Sequence, residues 1–515
     1  MIPYDWQAAD VDALLGHNAT GFMAMDTGAG KTLIATEVAR RSGVETKLII
    51  APQGTHRKVW ERTILEQDPG ARVRRLDSSA AGKDAMADFE LGEPGHYLMT
   101  PQLFTRWKPT HLRPDLMMVD EAHLLGNRDS AGGKTLRKMA GAAGSRLVMS
   151  GTLYRNRFEN AWNLLRFVYP EHSGPRDFAD IAPNRWVDTF CATKYDHFAP
   201  GNRVVVGELH PGQLATLVPC WRQHFKRQRC CDAHPEGFLY DVPEPVVIRE
   251  VVELTAGQRR AMTQMQRDYL SYLDLATKEW QALPAEERKK KPLVTKMPIV
   301  RETRLSQMTL AMPSLVPRPA KAGDPFHETT LDQKPFSQAV DDRGIPLWNV
   351  VFAPDAESPK LDALIRIHDK MGEPIVAATN SQKFAEMAVA RLNARGIRAF
   401  EWSGQYTQAQ RDEALEQFKA GQLDIIVGVT SAIGTGIDGL QDASGVLVRL
   451  NRDRDLSNET QLEGRLDRRG QKREEGVVVY EIVAEGSTDE DIIDSQLERR
   501  LALNKSLQRQ LRSAA

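Results

Sequence analysis

The chain has 515 residues, 27% of them charged, with 68 Lys and Arg against 69 Asp and Glu for a formal net charge of −1. That length predicts two or three domains with cores of their own, and the balanced charge excludes a global basic surface, so any nucleic-acid contact must come from a local basic cleft. No apolar run approaches the roughly 18 residues that cross a bilayer. Met1-Ile2-Pro3-Tyr4-Asp5-Trp6 lacks the basic and apolar regions of a secretory signal, and the four cysteines form no CxxC pair, which together predict a cytoplasmic protein.

The first strand signal is Gly21-Phe22-Met23-Ala24-Met25, followed by Thr27-Gly28-Ala29-Gly30-Lys31-Thr32 and a helical stretch from Leu33 to Ala39. A strand feeding a glycine-rich turn into a helix N-terminus aims backbone N–H groups and a helix dipole at one point, where a polyphosphate sits. Lys31 adds a point charge for the β- and γ-phosphates, and the Thr32 hydroxyl is a Mg²⁺ ligand. The match to GxxxxGK[ST] is partial, because Met25 stands where the full pattern has glycine.

Further strands are expected at 47–51 and 97–99, and Leu116-Met117-Met118-Val119 ends in Asp120-Glu121-Ala122-His123. Parallel strands are near-continuous apolar runs with ligands at their carboxyl ends. Two carboxylates there divide the work: Asp120 for Mg²⁺, Glu121 for the attacking water. Leu147-Val148-Met149 closes a first α/β lobe over residues 1–170.

Residues 171–345 read as a mainly helical and irregular insertion that also joins the lobes, with an amphipathic helix from Ala256 to about Gln281. Cys230-Cys231-Asp232-Ala233-His234 reads as packed or free thiols rather than a metal site. Arg222, Lys226, Arg227 and Arg229, and the run Arg288 to Lys291, read first as solvated charge and second as an extension of a nucleic-acid track. Strand and helix alternation returns over 346–515, with strands expected at 374–378, 424–428, 445–448 and 477–481 and a charged helix over 495–512. Gln461-Leu462-Glu463-Gly464-Arg465-Leu466-Asp467-Arg468 puts Arg465 and Arg468 on one face of a short helix, where guanidinium groups can reach a γ-phosphate from across a cleft.

In this order and spacing the motifs resemble the superfamily-two helicases and translocases, and within them the Swi/Snf-type DNA translocases. Tyr4, Trp6 and Gln7 resemble the element whose glutamine reads adenine. Ala51-Pro52-Gln53-Gly54-Thr55 with Trp60 is similar to the first DNA-strand motif, and Ser150-Gly151-Thr152-Leu153-Tyr154-Arg155-Asn156 to the coupling motif, with Leu153 in place of proline. Thr430 to Ile437 resembles motif V, with Asp438 where Swi/Snf proteins carry asparagine. Gln461 to Gln471 carries QxxGRxxRxGQ, whose Gly470-Gln471 ending is the Swi/Snf-like part. Arg454-Asp455-Leu456 replaces the usual Trp-Asn-Pro element.

The resemblance implies two RecA-like parallel-sheet lobes with ATP and Mg²⁺ between them, in a compact motor of the bacterial or phage type. Gln7, Thr27, Gly28, Ala29, Gly30, Lys31, Thr32, Gly436 and Asp438 would hold the nucleotide. His123, Ser150, Gly151, Thr152 and Gln461 would couple hydrolysis to movement, and Gln53, Thr55, Thr100, Thr379 and Thr430 would touch nucleic acid. The expected function is translocation on double-stranded DNA, with single strands a second substrate and RNA a lesser one. Alternatives are a strand-separating helicase, which the motif V aspartate favours, and an ATP-controlled clamp or protein remodeller that does not step.

Overall fold

The computed structural model describes residues 3–151, 158–170, 181–195, 203–210, 213, 217–224, 226, 242–264, 266–267, 296–321, 323–331, 334–340, 348–436, 439–494 and 496. After the helix α1 (Asp5–Gly16) come β1 (Gly21–Met25), α2 (Lys31–Arg41), β2 (Thr46–Ile50), β3 (Val73–Arg75), β4 (Gly95–Met99), β5 (Leu116–Val119) and β6 (Ser145–Met149). β7 (Cys191–Tyr195) and β8 (Arg203–Glu208) form an antiparallel pair, and β9 (Trp221–His224) returns to run parallel beside β1. The first sheet is therefore seven-stranded, in the order β3-β4-β2-β5-β6-β1-β9. Its strands are apolar almost throughout because both faces are covered. Phe22, Leu48, Ile50, Met117 and Val119 enter one core, while Met23, Ile49, Met118 and Met149 enter the other.

The second sheet repeats the plan. β10 (Val246–Val252) is followed by two antiparallel pairs, made by β11 (Pro313–Pro317) with β14 (Trp348–Phe352) and by β12 (Phe326–Leu331) with β13 (Lys334–Ala339). β15 (Ile375–Thr379), β16 (Ala399–Trp402), β17 (Ile425–Val429), β18 (Val446–Arg449) and β19 (Val478–Ala484) then build a six-stranded parallel sheet with β10, ordered β10-β19-β18-β15-β17-β16. Two cores flank it, one holding Ala377, Val427 and Val448, the other Val376, Ile426 and Leu447.

The region expected as a mainly helical insertion is different in its described part. It carries strands, and two of them complete the lobes: β9 pairs with β1, and β10 pairs with β19 along seven residues. The physical reason is that β1 and β19 would otherwise be bare sheet edges. Helix is present at 256–264 and 266–267, while the remainder of the stretch to Gln281, the 286–291 charge run and the Cys230–His234 segment lie outside the described residues, as does nearly all of 495–512. Among the described residues no helix is long and apolar enough to cross a membrane.

Candidate nucleotide site between the lobes

The chain leaves β1 at Met25, whose side chain is fully buried beneath the turn. The turn thus begins one residue after the position where the full pattern has glycine, and the methionine serves the core. Gly28 and Gly30 take left-handed φ values of 90° and 81°, which glycine adopts without steric cost, and Gly30 caps α2. Lys31 opens the helix. Its Nζ donates to the carbonyls of Met25 at 3.0 Å and Asp26 at 3.2 Å, so the ammonium lies over the turn. Thr32 follows it, half-buried. Gln7, expected at adenine, is buried with its carboxamide committed to the protein: Oε1 accepts from the Tyr4 N–H at 3.0 Å and Nε2 donates to the Ala29 carbonyl at 3.0 Å. It braces the phosphate-binding turn from α1.

At the end of β5, Asp120 is buried, and its two oxygens accept from Trp60 Nε1 at 3.2 Å and from the Glu121 N–H at 2.9 Å. Burial, then the neighbouring Glu121 charge, pushes its carboxyl up to about 6, against the pull of Lys31. Glu121 has the left-handed backbone of φ 46°, rare for a residue with a Cβ. Burial alone would raise the Glu121 carboxyl; the His123 ring, Lys31 and Arg465 outweigh it and hold it far below the carboxylate range. His123 Nδ1 lies 3.3 Å from Glu121 Oε2 and 3.3 Å from Ser150 Oγ. Burial lowers the imidazole's proton affinity, but Glu121, Asp455 and Asp120 carry it above its ordinary value. Ser150 takes its place through its N–H to the Met23 carbonyl at 3.1 Å, and Gly151 faces the Met25 carbonyl and Thr27.

The second lobe reaches this site through the helix Leu456–Leu466. Arg465 acts electrostatically on Glu121, and its Nε donates to the Gly434 carbonyl at 2.7 Å. Gly464, beside it, rests on the phosphate-binding turn: a Cβ there would overlap Thr27 Oγ1. Gln461 is buried against Gly434 within the second lobe. The expected pairing of Arg465 and Arg468 on one helical face is corrected, because the helix ends at Leu466 and Arg468 lies in the turn that follows, its N–H on the Leu466 carbonyl. Arg469 lies over the Tyr4 ring at 4.8 Å. Gly436 ends the helix Thr430–Gly436, and Asp438 and Thr152 lie outside the described residues.

Among the expected nucleic-acid contacts, Gln53 is exposed and Thr55 is half-buried with its hydroxyl on the Pro52 carbonyl. Thr100 caps the helix Pro101–Trp107, accepting from the Leu103 N–H at 3.1 Å. Thr379 and Thr430 are corrected: both are wholly buried, Thr379 donating to Asn451 Oδ1 at 3.0 Å and Thr430 to the Thr379 carbonyl at 3.4 Å. At the end of a core strand the hydroxyls are spent inside the lobe.

Several contributors carried no motif signal of their own. Arg449 is buried among Glu459, Glu463 and Glu481, at 2.7, 2.9 and 3.2 Å, and so pins the helix that bears Arg465 onto β18 and β19. Arg222 and His224 grip the buried Asp10 of α1 at 2.5 and 2.6 Å, fastening β9 to the brace that carries Gln7. Lys226, like Arg222, is therefore not solvated charge; it reaches Asp467. A run of apolar neighbours flags a strand, but nothing in sequence spacing flags a carboxylate partner hundreds of residues away.

Residues 359–470 match the helicase conserved C-terminal domain. The chain is 21% identical over 501 residues, 94% of its length, to the SWI/SNF-related matrix-associated actin-dependent regulator of chromatin subfamily A member 1 of Homo sapiens, of which this covers 41%. It is 28% identical over 172 residues, 31% of the chain and 15% of the relative, to the probable ATP-dependent DNA helicase CHR12 of Arabidopsis thaliana. The chain thus spans well under half the length of these curated relatives. A solved Sulfolobus solfataricus SWI2/SNF2 ATPase core in complex with dsDNA aligns over 96% of this chain and 90% of its own at 14% identity, with a TM-score of 0.39, too low to bear on the fold, which rests on the two sheets themselves. The chain thus carries a helicase conserved C-terminal domain and is similar over nearly its whole length to a SWI/SNF-related protein.

Proposed function

We propose that the chain is an ATP-driven motor on double-stranded DNA, hydrolysing ATP between its two lobes. The observation that supports this most is the cross-lobe constellation in which Lys31 of the first lobe and Arg465 of the second both act on Glu121. In this reading the turn from Thr27 to Gly30 and the N-terminus of α2 cradle the phosphates, with Lys31 on the β- and γ-groups. Glu121, held ionised, orients and deprotonates the attacking water. Arg465, with Arg468 nearby, stabilises the charge that develops on the transferred group, a contribution on the order of 10³ to 10⁵ in rate. Gln7 braces the turn from α1, and Gly436 belongs to the second-lobe wall, to which the motif resemblance adds Asp438.

Mg²⁺ fits the donor set. Thr32 and Asp120 offer hard oxygens, and a carboxyl that burial has driven to about 6 is one that a dication relieves. When bound, the ion neutralises charge on the β- and γ-phosphates. In this reading His123, lying between Glu121 and Ser150, and Gln461, packed on Gly434, pass a change at the phosphates to Gly151 and the second lobe, with Thr152 added by the motif resemblance. Alternating grip by two lobes then moves the protein along a phosphate backbone. The duplex as track rests on the Swi/Snf-like ending Gly470-Gln471 and on the likeness to the human SWI/SNF-related protein.

The test is ATP hydrolysis with no nucleic acid, duplex DNA, single-stranded DNA and RNA, with Lys31→Ala and Arg468→Ala as controls. Stimulation chiefly by duplex, lost in both variants and accompanied by displacement of a triplex third strand, is expected. Preference for single strands with strand separation makes the chain a helicase, and turnover indifferent to nucleic acid overturns the motor.

A further inference from the structure

Lys226 follows β9, the strand that closes the edge of the first sheet, and it ties three parts of the molecule together. Its backbone N–H donates to Asp26 Oδ2 at 3.1 Å, at the entrance of the phosphate-binding turn. Its Nζ donates to the Asp467 carbonyl at 2.6 Å and lies 3.3 Å from Asp467 Oδ2, two residues beyond Arg465 in the second lobe. Both side chains are largely withdrawn from water, at 13% and 3% exposure, so the charge-assisted contacts are poorly screened. The Nζ also lies 3.4 Å from where a Gly464 Cβ would stand, at the point where Gly464 meets Thr27. A lysine stem therefore spans the seam between the lobes beside the point where Gly464 meets Thr27.

We propose that Lys226 is a positioning residue of the nucleotide site, a latch that holds the loop after the Leu456–Leu466 helix against the phosphate-binding turn and so fixes Arg465 toward Glu121. The inference rests on the ATPase reading for its kinetic consequence but not for its structural one. Breaking the latch frees the second lobe to swing away, and the Arg465 contact is lost while the phosphate-binding turn, whose own bonds are internal to the first lobe, is kept.

The experiment uses the full chain with Lys226→Met and, from the other side, Asp467→Asn, which leaves the carbonyl acceptor and is the milder change. Amide hydrogen exchange is followed without nucleotide, together with kcat, KM and the thermal midpoint. Lys226→Met is expected to raise exchange at least 10-fold in peptides covering 26–32 and 461–471, leave the strands of both sheets unchanged, and lower kcat 10- to 100-fold with KM moved less than 3-fold. Asp467→Asn shifts each in the same direction by less. Unchanged exchange in the two peptides overturns the latch whatever the kinetics. Faster exchange throughout with a lowered midpoint in both variants overturns it in favour of a purely structural lysine. Faster exchange confined to the two peptides in a chain that hydrolyses no ATP upholds the latch and refutes the ATPase reading alone.

Discussion

Gly464 of the second lobe meets Thr27 of the first so closely that a single added methyl would overlap the threonine hydroxyl. The contact sits one residue from Arg465, so the glycine sets how deeply that arginine reaches toward Glu121. Gly464→Ala is expected to hold the lobes a few tenths of an ångström or more apart and to lower kcat at least about 10-fold, since a displacement of about 1 Å can cost about 100-fold. Thr27→Ala in the same chain removes the obstructing oxygen and should restore part of the loss. A Gly464→Ala protein with undiminished kcat would show that turnover does not pass through this closed arrangement.

Asp120 yields a prediction about stability with a definite sign. Its carboxyl rises from 3.8 in the unfolded chain to about 6 in the folded one, so between those values the folded protein binds the extra proton. The contribution of Asp120 to stability is therefore greatest below about pH 4 and is lost as pH rises through about 6, a change of about 3 kcal/mol for a shift of about two units, while Glu121, held low, contributes with the opposite sign at acid pH. Asp120→Asn removes the buried charge. It should raise the thermal midpoint at pH 7.5, raise it by less at pH 5, and abolish ATP hydrolysis, the expected exchange of stability for function. Equal midpoints for both proteins at pH 7.5 contradict the assignment.

What was legible in the sequence is what has a local signature. The strands β1, β2, β4, β5, β6, β15, β17, β18 and β19 are continuous apolar runs because both their faces are buried, and the turn from Thr27 to Thr32 announces itself by two glycines that need positive φ. β3, with its Val-Arg-Arg sequence, and β9, reading Trp-Arg-Gln-His, are edge strands with polar residues and gave no such run. At the site, Lys31, Asp120, Glu121 and Arg465 are the residues that motif spacing singles out, and the fold gathers them around Glu121. Gln7, expected at adenine, spends its carboxamide on the turn, which was not foreseeable, because the hydrogen bond to Ala29 depends on how α1 packs. Trp60 on Asp120, Glu459 on Arg449 and Asp467 on Lys226 are pairings of tertiary structure, which no periodicity encodes.

Arg449 should be costly to remove. Its guanidinium is buried amid three carboxylates, and deleting one partner of such a cluster leaves uncompensated charge worth about 3–5 kcal/mol. Arg449→Met is expected to lower the unfolding free energy by that order and to loosen the helix bearing Arg465. Arg449→Lys should recover some stability but little of the geometry, because one compact ammonium nitrogen cannot span the positions that Nε, Nη1 and Nη2 hold against three separate carboxylates. Denaturant unfolding followed beside ATP turnover checks both; a methionine variant as stable as the parent would mean that the cluster's net contribution is nil.

The two buried threonines separate a structural role from a track contact. Thr379 bonds Asn451 and Thr430 bonds the Thr379 carbonyl, with neither hydroxyl at the surface. Thr379→Val keeps the shape, leaves Asn451 Oδ1 with the Asn380 N–H at 3.0 Å and strands the buried Ser381 N–H that donates to the Thr379 hydroxyl at 3.2 Å, a loss of about 1–3 kcal/mol for a buried donor. Its effect should appear in denaturant unfolding, with the salt dependence of duplex binding unchanged, because no phosphate contact is lost. Gln53, exposed at the start of the helical run that follows β2, should behave in the opposite way: Gln53→Ala leaves unfolding unaltered and weakens duplex binding uniformly across sequences, as a backbone contact does. If Thr379→Val instead weakens DNA binding at full stability, the end of β15 opens to the track in the DNA-bound protein, and the second lobe must rearrange when it grips.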